Sequence, residues 1–173
     1  MSWEAVSCWI ESHPGLASWV QAIGSIAAIA AAGFFPFIHE RAKEKQTRRN
    51  TLTSLLHLAN RLENLLVLEG NALGDQIGHE MWRTLNRTQE LKLVSQLVDE
   101  LPASMFIGFE MTYLSELRSC AAYAKKIAED FDDNDWRTIR NHHDFDYRIQ
   151  VQRTNLDAIQ SLSCLITDER RSL

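Results

Sequence analysis

A long uncharged stretch near the N-terminus constrains this chain more than any other feature of its sequence. Residues 16–38 (LASWVQAIGSIAAIAAAGFFPFI) are 23 consecutive residues without a charge, and the next twelve (HERAKEKQTRRN) contain seven charges. A helix rises about 1.5 Å per residue, so some 20 residues cover the roughly 30 Å hydrocarbon core of a bilayer. The pattern predicts a transmembrane helix at residues 16–38, followed by a basic juxtamembrane segment at residues 39–50.

Two other interpretations of the apolar stretch remain open. A cleaved secretory signal begins with a positive region, whereas this chain has no Lys or Arg before Arg41. The central helix of a soluble bundle usually keeps a polar stripe, and Ser18, Gln21 and Ser25 offer only a thin one here. The uncleaved anchor is preferred because Trp19 lies near one end, where an interfacial aromatic is expected, and basic residues follow the other end.

The basic segment sets the predicted orientation. Residues 39–50 carry a net charge of +3, and the cytoplasmic flank of a span is the one enriched in Lys and Arg. We therefore predict a single-pass protein with its N-terminus outside and residues 51–173 in the cytoplasm. The residues predicted to contact lipid headgroups and fix this topology are Arg41, Lys43, Lys45, Arg48 and Arg49.

One face of the predicted span consists of small residues. At about 100° per residue, Gln21, Gly24, Ala28 and Ala32 fall on the same side of the helix. Small side chains spaced four apart let two helices approach closely in lipid, and a glutamine among them offers a hydrogen bond across the pair. These four residues are the predicted helix–helix interface within the membrane.

The segment before the span, residues 1–15, is predicted to form a short amphipathic helix at the outer membrane surface. Trp3, Val6, Trp9 and Ile10 recur three or four residues apart, which gives one apolar face. Pro14 and Gly15 are expected to separate this segment from the span.

Residues 51–173 show helical periodicity throughout and no sustained strand alternation. Helices are predicted to end near Glu69, to cover 80–101 with a break at 86–88, and to cover 103–130 and 144–168, with residues 129–135 as an acidic loop. Amphipathic helices with short connections favour a bundle. The predicted fold class is all-α, with one N-terminal transmembrane helix and a cytoplasmic antiparallel bundle of about four helices.

The periodicity also predicts which side chains face the core. Arg61, Glu63 and Glu69 are assigned to the solvent side of the first bundle helix. Cys120 and Cys164 are expected to be buried as small apolar residues, because three widely spaced cysteines make no disulfide framework. The inward-facing assignments include Leu68, Leu97, Phe109, Met111 and Leu165.

The sequence offers little chemistry. It contains no phosphate-binding loop, dinucleotide fingerprint or nucleophile elbow. In NHHDFDYR, His142, His143, Asp144 and Asp146 are metal-ligand types, but adjacent histidines point apart on a helix, and a polar helix start is the simpler interpretation. We therefore predict no catalytic residue, no cofactor and no metal, while what these four residues bind stays open.

The charge balance argues against nucleic acid as a partner. Residues 51–173 carry 13 basic and 19 acidic residues, and nucleic-acid binding draws its affinity from Lys and Arg that neutralise phosphates. The predicted partners are membrane lipid and either a second copy of the chain or another protein.

The stretch SWVQAIGSIAAIAAA and the basic helix after it resemble the N-termini of small bacterial and prophage proteins with a single membrane anchor and a helical cytoplasmic part. The run LVDELPASMFIGFEMTYLSEL has a similar character. The resemblance covers about the first 50 residues well, implies a bacterial inner-membrane location and carries over no catalytic residue.

Two functions follow from these observations as hypotheses. The first is a membrane-anchored helical interaction or assembly module without catalytic activity. The second is an oligomeric membrane effector, of the phage-defence or toxin kind, whose clustered spans permeabilise the inner membrane.

Overall fold

The computed structural model of the protein describes the backbone of residues 14–173 and the environment of each side chain from residue 18 onward. The predicted amphipathic segment at residues 1–15 therefore lies almost wholly outside the described residues. Pro14 is the first residue of the first helix. A proline fits there because its missing N–H would have no helical acceptor in the first turn.

The described residues are all-α and contain no strand, which confirms the predicted fold class at that level. The prediction of about four helices is met only in part, since the described residues form six. They are α1 (Pro14–Gly74), α2 (Gln76–Thr84), α3 (Arg87–Glu100), α4 (Phe109–Asp133), α5 (Trp136–Arg140) and α6 (Phe145–Ser172), with a 3-10 helix at Ala103–Met105.

The first helix continues without interruption from the apolar stretch into the charged segment. It passes through Pro36, which supplies no backbone donor and leaves one carbonyl in the preceding turn without its usual partner. The chain divides into two units, Met1–Thr47 and Arg48–Leu173. All residues from 18 to 50 are exposed, and the hydrophobic core begins at Leu52.

The core of the second unit is built from a stripe of buried residues along one side of each long helix, here called the seam. Seven buried positions of α1 follow one another in steps of three and four, which keeps them on one side of a helix. These seven are Leu52, Leu55, Ala59, Leu62, Leu66, Glu69 and Leu73, and Leu65 and Ala72 are buried beside them. On α4 the corresponding seam is Glu110, Leu114, Leu117, Ala121, Ala124, Ala128 and Phe131. Burying a leucine of this kind contributes about 1.5–3 kcal/mol.

Several core assignments are wrong at the margins of these seams. Leu68 (37% exposed), Leu97 (43%), Phe109 (77%), Met111 (41%) and Leu165 (54%) were predicted to face inward. Each lies beside the seam, where no second helix covers it, because a packed helix buries a narrower stripe than its apolar residues occupy. The opposite error occurs at Glu69, which was assigned to solvent and is fully buried.

The region between α3 and α4 corrects a predicted helix start. A helix was predicted over residues 103–130, but α4 begins at Phe109. Pro102 is extended (φ −70°, ψ 122°) and precedes the 3-10 helix, and Gly108 has a positive φ of 64°. Glycine adopts that conformation without the steric cost that a Cβ brings.

The acidic run was also misassigned in part. Residues 129–133 were predicted as a solvated loop, yet α4 extends to Asp133. The reason is Phe131, which is fully buried and continues the seam after Ala124 and Ala128. The short helix α5 was not predicted. Its first turn is capped by Asp135, whose Oδ1 accepts a hydrogen bond from the Thr138 N–H at 2.7 Å.

Candidate functional site

The apolar part of α1 presents its side chains to the outside on every side. Val20 (68%), Ile29 (74%) and Phe35 (75%) are exposed, and no residue from 18 to 38 is buried. This is the one helix of the described residues that is long and apolar enough to cross a membrane. A protein dissolved in water as a monomer rarely exposes an apolar surface of this extent.

The predicted interface residues lie along this exposed helix. Gln21, Gly24, Ala28 and Ala32 are all exposed, and a Cβ added at Gly24 would meet only open space. The backbone carbonyl of Gln21 accepts a hydrogen bond from Ser25 Oγ at 2.8 Å. The face is therefore open to another helix, and its occupation by one stays a prediction.

The five predicted lipid-contacting cations have different surroundings. The Arg41 guanidinium lies over the Phe37 ring, 4.2 Å from its centroid. Lys43, Lys45 and Arg49 are exposed. Arg48, the first residue of the second unit, is instead engaged with two carboxylates of that unit.

Arg48 connects three helices through its guanidinium. Its Nε donates to Glu110 Oε1 of α4 at 2.7 Å, and its Nη2 donates to the Glu169 carboxylate of α6. The hydrogen bond with Glu110 is the main cause of the raised pKa of Arg48. Since the Glu110 side chain is only 4% exposed, its carboxylate depends on this partner to offset the loss of hydration.

Tyr113 belongs to the same cluster. Burial raises the pKa of the Tyr113 phenol, and a hydrogen bond with Glu169 adds to the effect. That Arg48 contacts lipid stays a prediction, and its Nε and Nη2 already donate to carboxylates within the helical unit. Sequence analysis missed Glu110 and Glu169 because they lie 62 and 121 residues from Arg48.

A second cluster contains two of the four residues that were weighed as metal ligands, His142 and Asp144. His142 Nδ1 is hydrogen-bonded to the Asp144 carboxylate, and Arg148 donates to Asp144 at 2.9 Å and also to Asp130. The Arg148 hydrogen bond is the main cause of the lowered pKa of Asp144. Among the described residues, no three His, Cys, Asp or Glu side chains gather in a way that could hold a metal ion.

Glu69 is the most unusual ionisable residue of the helical unit. Both carboxyl oxygens are buried without a hydrogen-bond partner among the described residues. Desolvation raises the pKa of Glu69 well above its ordinary value, because burial disfavours the charged form. On the facing helix, Gln152 Nε2 donates to Leu66 O at 2.7 Å, so polar groups interrupt the seam here.

The remaining reactive side chains divide by burial. Cys120 is buried, as predicted, and desolvation raises the pKa of its thiol to about 11. Cys164 was predicted to be buried and is exposed. His57 is exposed, whereas His79 is buried with its Nε2 3.2 Å from Asn134 O, and desolvation lowers its pKa.

An apolar patch lies on α2. Ile77 (72% exposed) and Met81 (57%) lie four residues apart on one face of the helix, and Leu85 (54%), four residues further, is the C-cap that follows its last residue. Met81 and Leu85 line a shallow cavity of about 90 Å³ together with Leu68. Sequence analysis did not separate this patch from the core.

Comparison of the chain with family models, curated proteins and solved structures finds no match.

Proposed function

We propose that the chain is a membrane-anchored helical interaction module without catalytic activity. The observation that carries the proposal is the contrast within α1. Residues 18–50 are exposed throughout, while the same helix supplies buried seam residues from Leu52 onward. A lipid environment is the simplest way to cover the first part, since hydrocarbon solvates apolar side chains and the helix satisfies its own backbone.

The helical unit is proposed to form an antiparallel bundle at the cytoplasmic face. Three contacts between α1 and α6 support this arrangement, because the α6 partner comes earlier in the chain as the α1 residue comes later. Arg48 pairs with Glu169, Glu63 Oε1 accepts from Gln160 at 3.1 Å, and Leu66 O accepts from Gln152. The α2 patch of Ile77, Met81 and Leu85 is the surface proposed to receive a protein partner.

The location is proposed to be a bacterial inner membrane, with the N-terminus outside. The support is the net charge of +3 on residues 39–50 and the preference of basic flanks for the cytoplasmic side.

Cell fractionation with an alkaline carbonate wash, followed by protease treatment of spheroplasts, tests the proposal. We expect the chain to stay in the membrane pellet and residues 48–173 to be protected from external protease. Release of the chain by carbonate would contradict the anchor. The apolar surface of α1 would then have to be covered by other copies in a soluble assembly.

A second candidate function is an oligomeric membrane effector that permeabilises the inner membrane. The observation that favours it is the open face of Gln21, Gly24, Ala28 and Ala32, because one span per chain requires several chains around a pore.

The double variant Gly24→Leu with Ala28→Leu separates the two functions. It should abolish depolarisation by an effector and leave partner binding by the helical unit unchanged. The matched control is Ala30→Leu with Gly33→Leu, which also replaces one alanine and one glycine and so adds the same volume on the other side of the helix. Expression of the wild-type chain without depolarisation or growth arrest would contradict the effector function.

A further inference from the structure

The connection between α3 and α4 projects three large apolar side chains from the helical unit. They are Met105 (61% exposed), Ile107 (79%) and Phe109 (77%). Phe106 between them (6%) and Glu110 after them (3%) are buried. Residues 102–109 read PASMFIGF and contain no charge. Protruding apolar side chains on a short uncharged loop are costly in water unless something covers them.

The loop is held in place at both ends. Arg118 of α4 donates to Leu101 O at 2.8 Å, and Phe106 is packed in the hydrophobic core. Glu110 Oε2 accepts the Ile107 N–H at 3.3 Å, while its Oε1 accepts Arg48 Nε. The three projecting side chains are therefore presented by a fixed backbone that is tied to Arg48.

The contact between Glu110 and Arg48 joins this loop to a residue of α1 that follows closely after the apolar stretch. Ten residues lead from Ile38 to Arg48, and a chain of that length spans at most about 36 Å when fully extended. The loop thus lies within a short tether of the residues proposed to cross the membrane.

Basic residues accompany the loop at this end of the unit. Arg49 is exposed beside Arg48, and Arg170 and Arg171 follow Glu169, the other partner of Arg48. Arg170 is half-buried, and the Arg171 side chain is 75% exposed with its Nη1 3.7 Å from Asp168 Oδ1. Cations around an apolar centre complement a leaflet that carries anionic lipid. They would oppose one another across a two-fold interface between copies, which brings the same surface of each copy together.

We propose that Met105, Ile107 and Phe109 insert into the interfacial region of the anionic leaflet of the membrane that anchors the chain. The inference rests on the proposed anchor and adds a second membrane contact to it. The helical unit is then held against the bilayer in one orientation, and the α2 patch stays available to a protein partner.

The test uses the full-length chain reconstituted in vesicles of phosphatidylcholine and phosphatidylglycerol. A fluorophore sensitive to polarity is attached to Ile107→Cys in a Cys8→Ser, Cys164→Ser background. Cys120 stays unlabelled at neutral pH, since burial raises the pKa of its thiol to about 11. The matched control carries the label on Ile77→Cys, which is similarly exposed, at 72% against 79%.

We expect lipids with a quencher near the headgroup to quench the label at position 107 and to leave the label at position 77 largely unquenched. Phe109→Ser and Met105→Ser should each lower the ratio of membrane-inserted loop to free loop by about tenfold. Vesicles without phosphatidylglycerol should also reduce quenching. Circular dichroism should be unchanged, because both side chains are exposed.

Three results would overturn the inference, and they are distinguishable by a carbonate wash of the same vesicles. If positions 107 and 77 are quenched equally in chain that resists the wash, the loop does not contact the membrane, and the anchor still stands. A shielded but unquenched label that crosslinks to a second copy assigns the loop to an interface between chains. Chain released by the wash removes the anchor and the loop contact together.

Discussion

At the scale of single residues, Glu69 departs most from what its surroundings favour. It occupies a seam position between Leu66 and Leu73 on α1 and has no partner for either carboxyl oxygen among the described residues. An unsatisfied buried polar group costs about 1–3 kcal/mol. Because its pKa is raised, the folded chain binds a proton more tightly at Glu69 than the unfolded chain does.

The sign of the pH dependence follows from that difference. The stability associated with the protonated carboxyl is fully present below the ordinary glutamate pKa and is lost as pH rises through the raised pKa of the folded state. Glu69→Leu should therefore raise the free energy of unfolding by about 1–3 kcal/mol at neutral pH, and it should flatten the loss of stability toward alkaline pH. Urea unfolding of the detergent-solubilised chain, from the ordinary glutamate pKa to alkaline pH, measures both the change in stability and its dependence on pH.

Glu116→Gln serves as the control for this experiment. Glu116 is exposed on α4, so its change should fall within about 0.5 kcal/mol. A pH profile that is identical in wild type and Glu69→Leu would show that Glu69 is charged in the folded chain.

At the scale of elements, the packing of α1 against α2 depends on a close backbone approach. A Cβ at Gly78 would lie 2.4 Å from the Asn71 carbonyl oxygen, and no side-chain motion relieves a contact with backbone. The Gly78 N–H also donates to Asp75 Oδ1 at 2.6 Å, which caps α2. The turn between these helices is therefore tight because position 78 lacks a side chain.

We expect Gly78→Ala to lower the free energy of unfolding by about 1–3 kcal/mol, because one helix must shift to admit the methyl group. Gly74→Ala is the matched control, since its added Cβ has nothing within 4 Å. That variant should be neutral or gain up to about 1 kcal/mol from a less flexible unfolded chain. Urea midpoints compare the two, and equal shifts would contradict the close approach of α1 and α2.

At the scale of the whole molecule, the apolar stretch from residue 18 onward adds nothing to the core. Among the residues whose burial the structure describes, every member of the hydrophobic core lies between Leu52 and Ile166, within the second unit. The Arg48 ion pairs with Glu110 and Glu169 also lie inside that unit. Residues 48–173 thus hold the contacts that a folded unit requires.

A chain lacking residues 1–38 should be soluble, strongly helical by circular dichroism and cooperative in thermal unfolding, because none of the described core residues is removed. Size exclusion should report a particle of defined size. Loss of the cooperative transition would contradict a separate helical unit. It would favour instead the interpretation in which residues 17–36 are the central helix of a soluble protein.

The sequence alone determined the properties that consecutive residues encode. The all-α class, the long apolar helix and most seam positions, such as Leu62, Leu117 and Ile159, follow from a period of 3.6 residues and from the lack of strand alternation. The break near residue 86 was also visible in the sequence. These features are local because backbone hydrogen bonds in a helix join residues four apart.

Only the tertiary structure decided which side of each helix is buried and which neighbouring helix or loop covers it. Glu69 became buried and Phe109 exposed because of where neighbouring helices end and pack, which no local pattern records. The Arg48 cluster joins residues separated by up to 121 positions, and the projecting loop exists because Phe106 and Glu110 are held from elsewhere in the fold. Long-range packing supplies these contacts, so the sites that they create could not be predicted from the hydrophobic periodicity of the sequence.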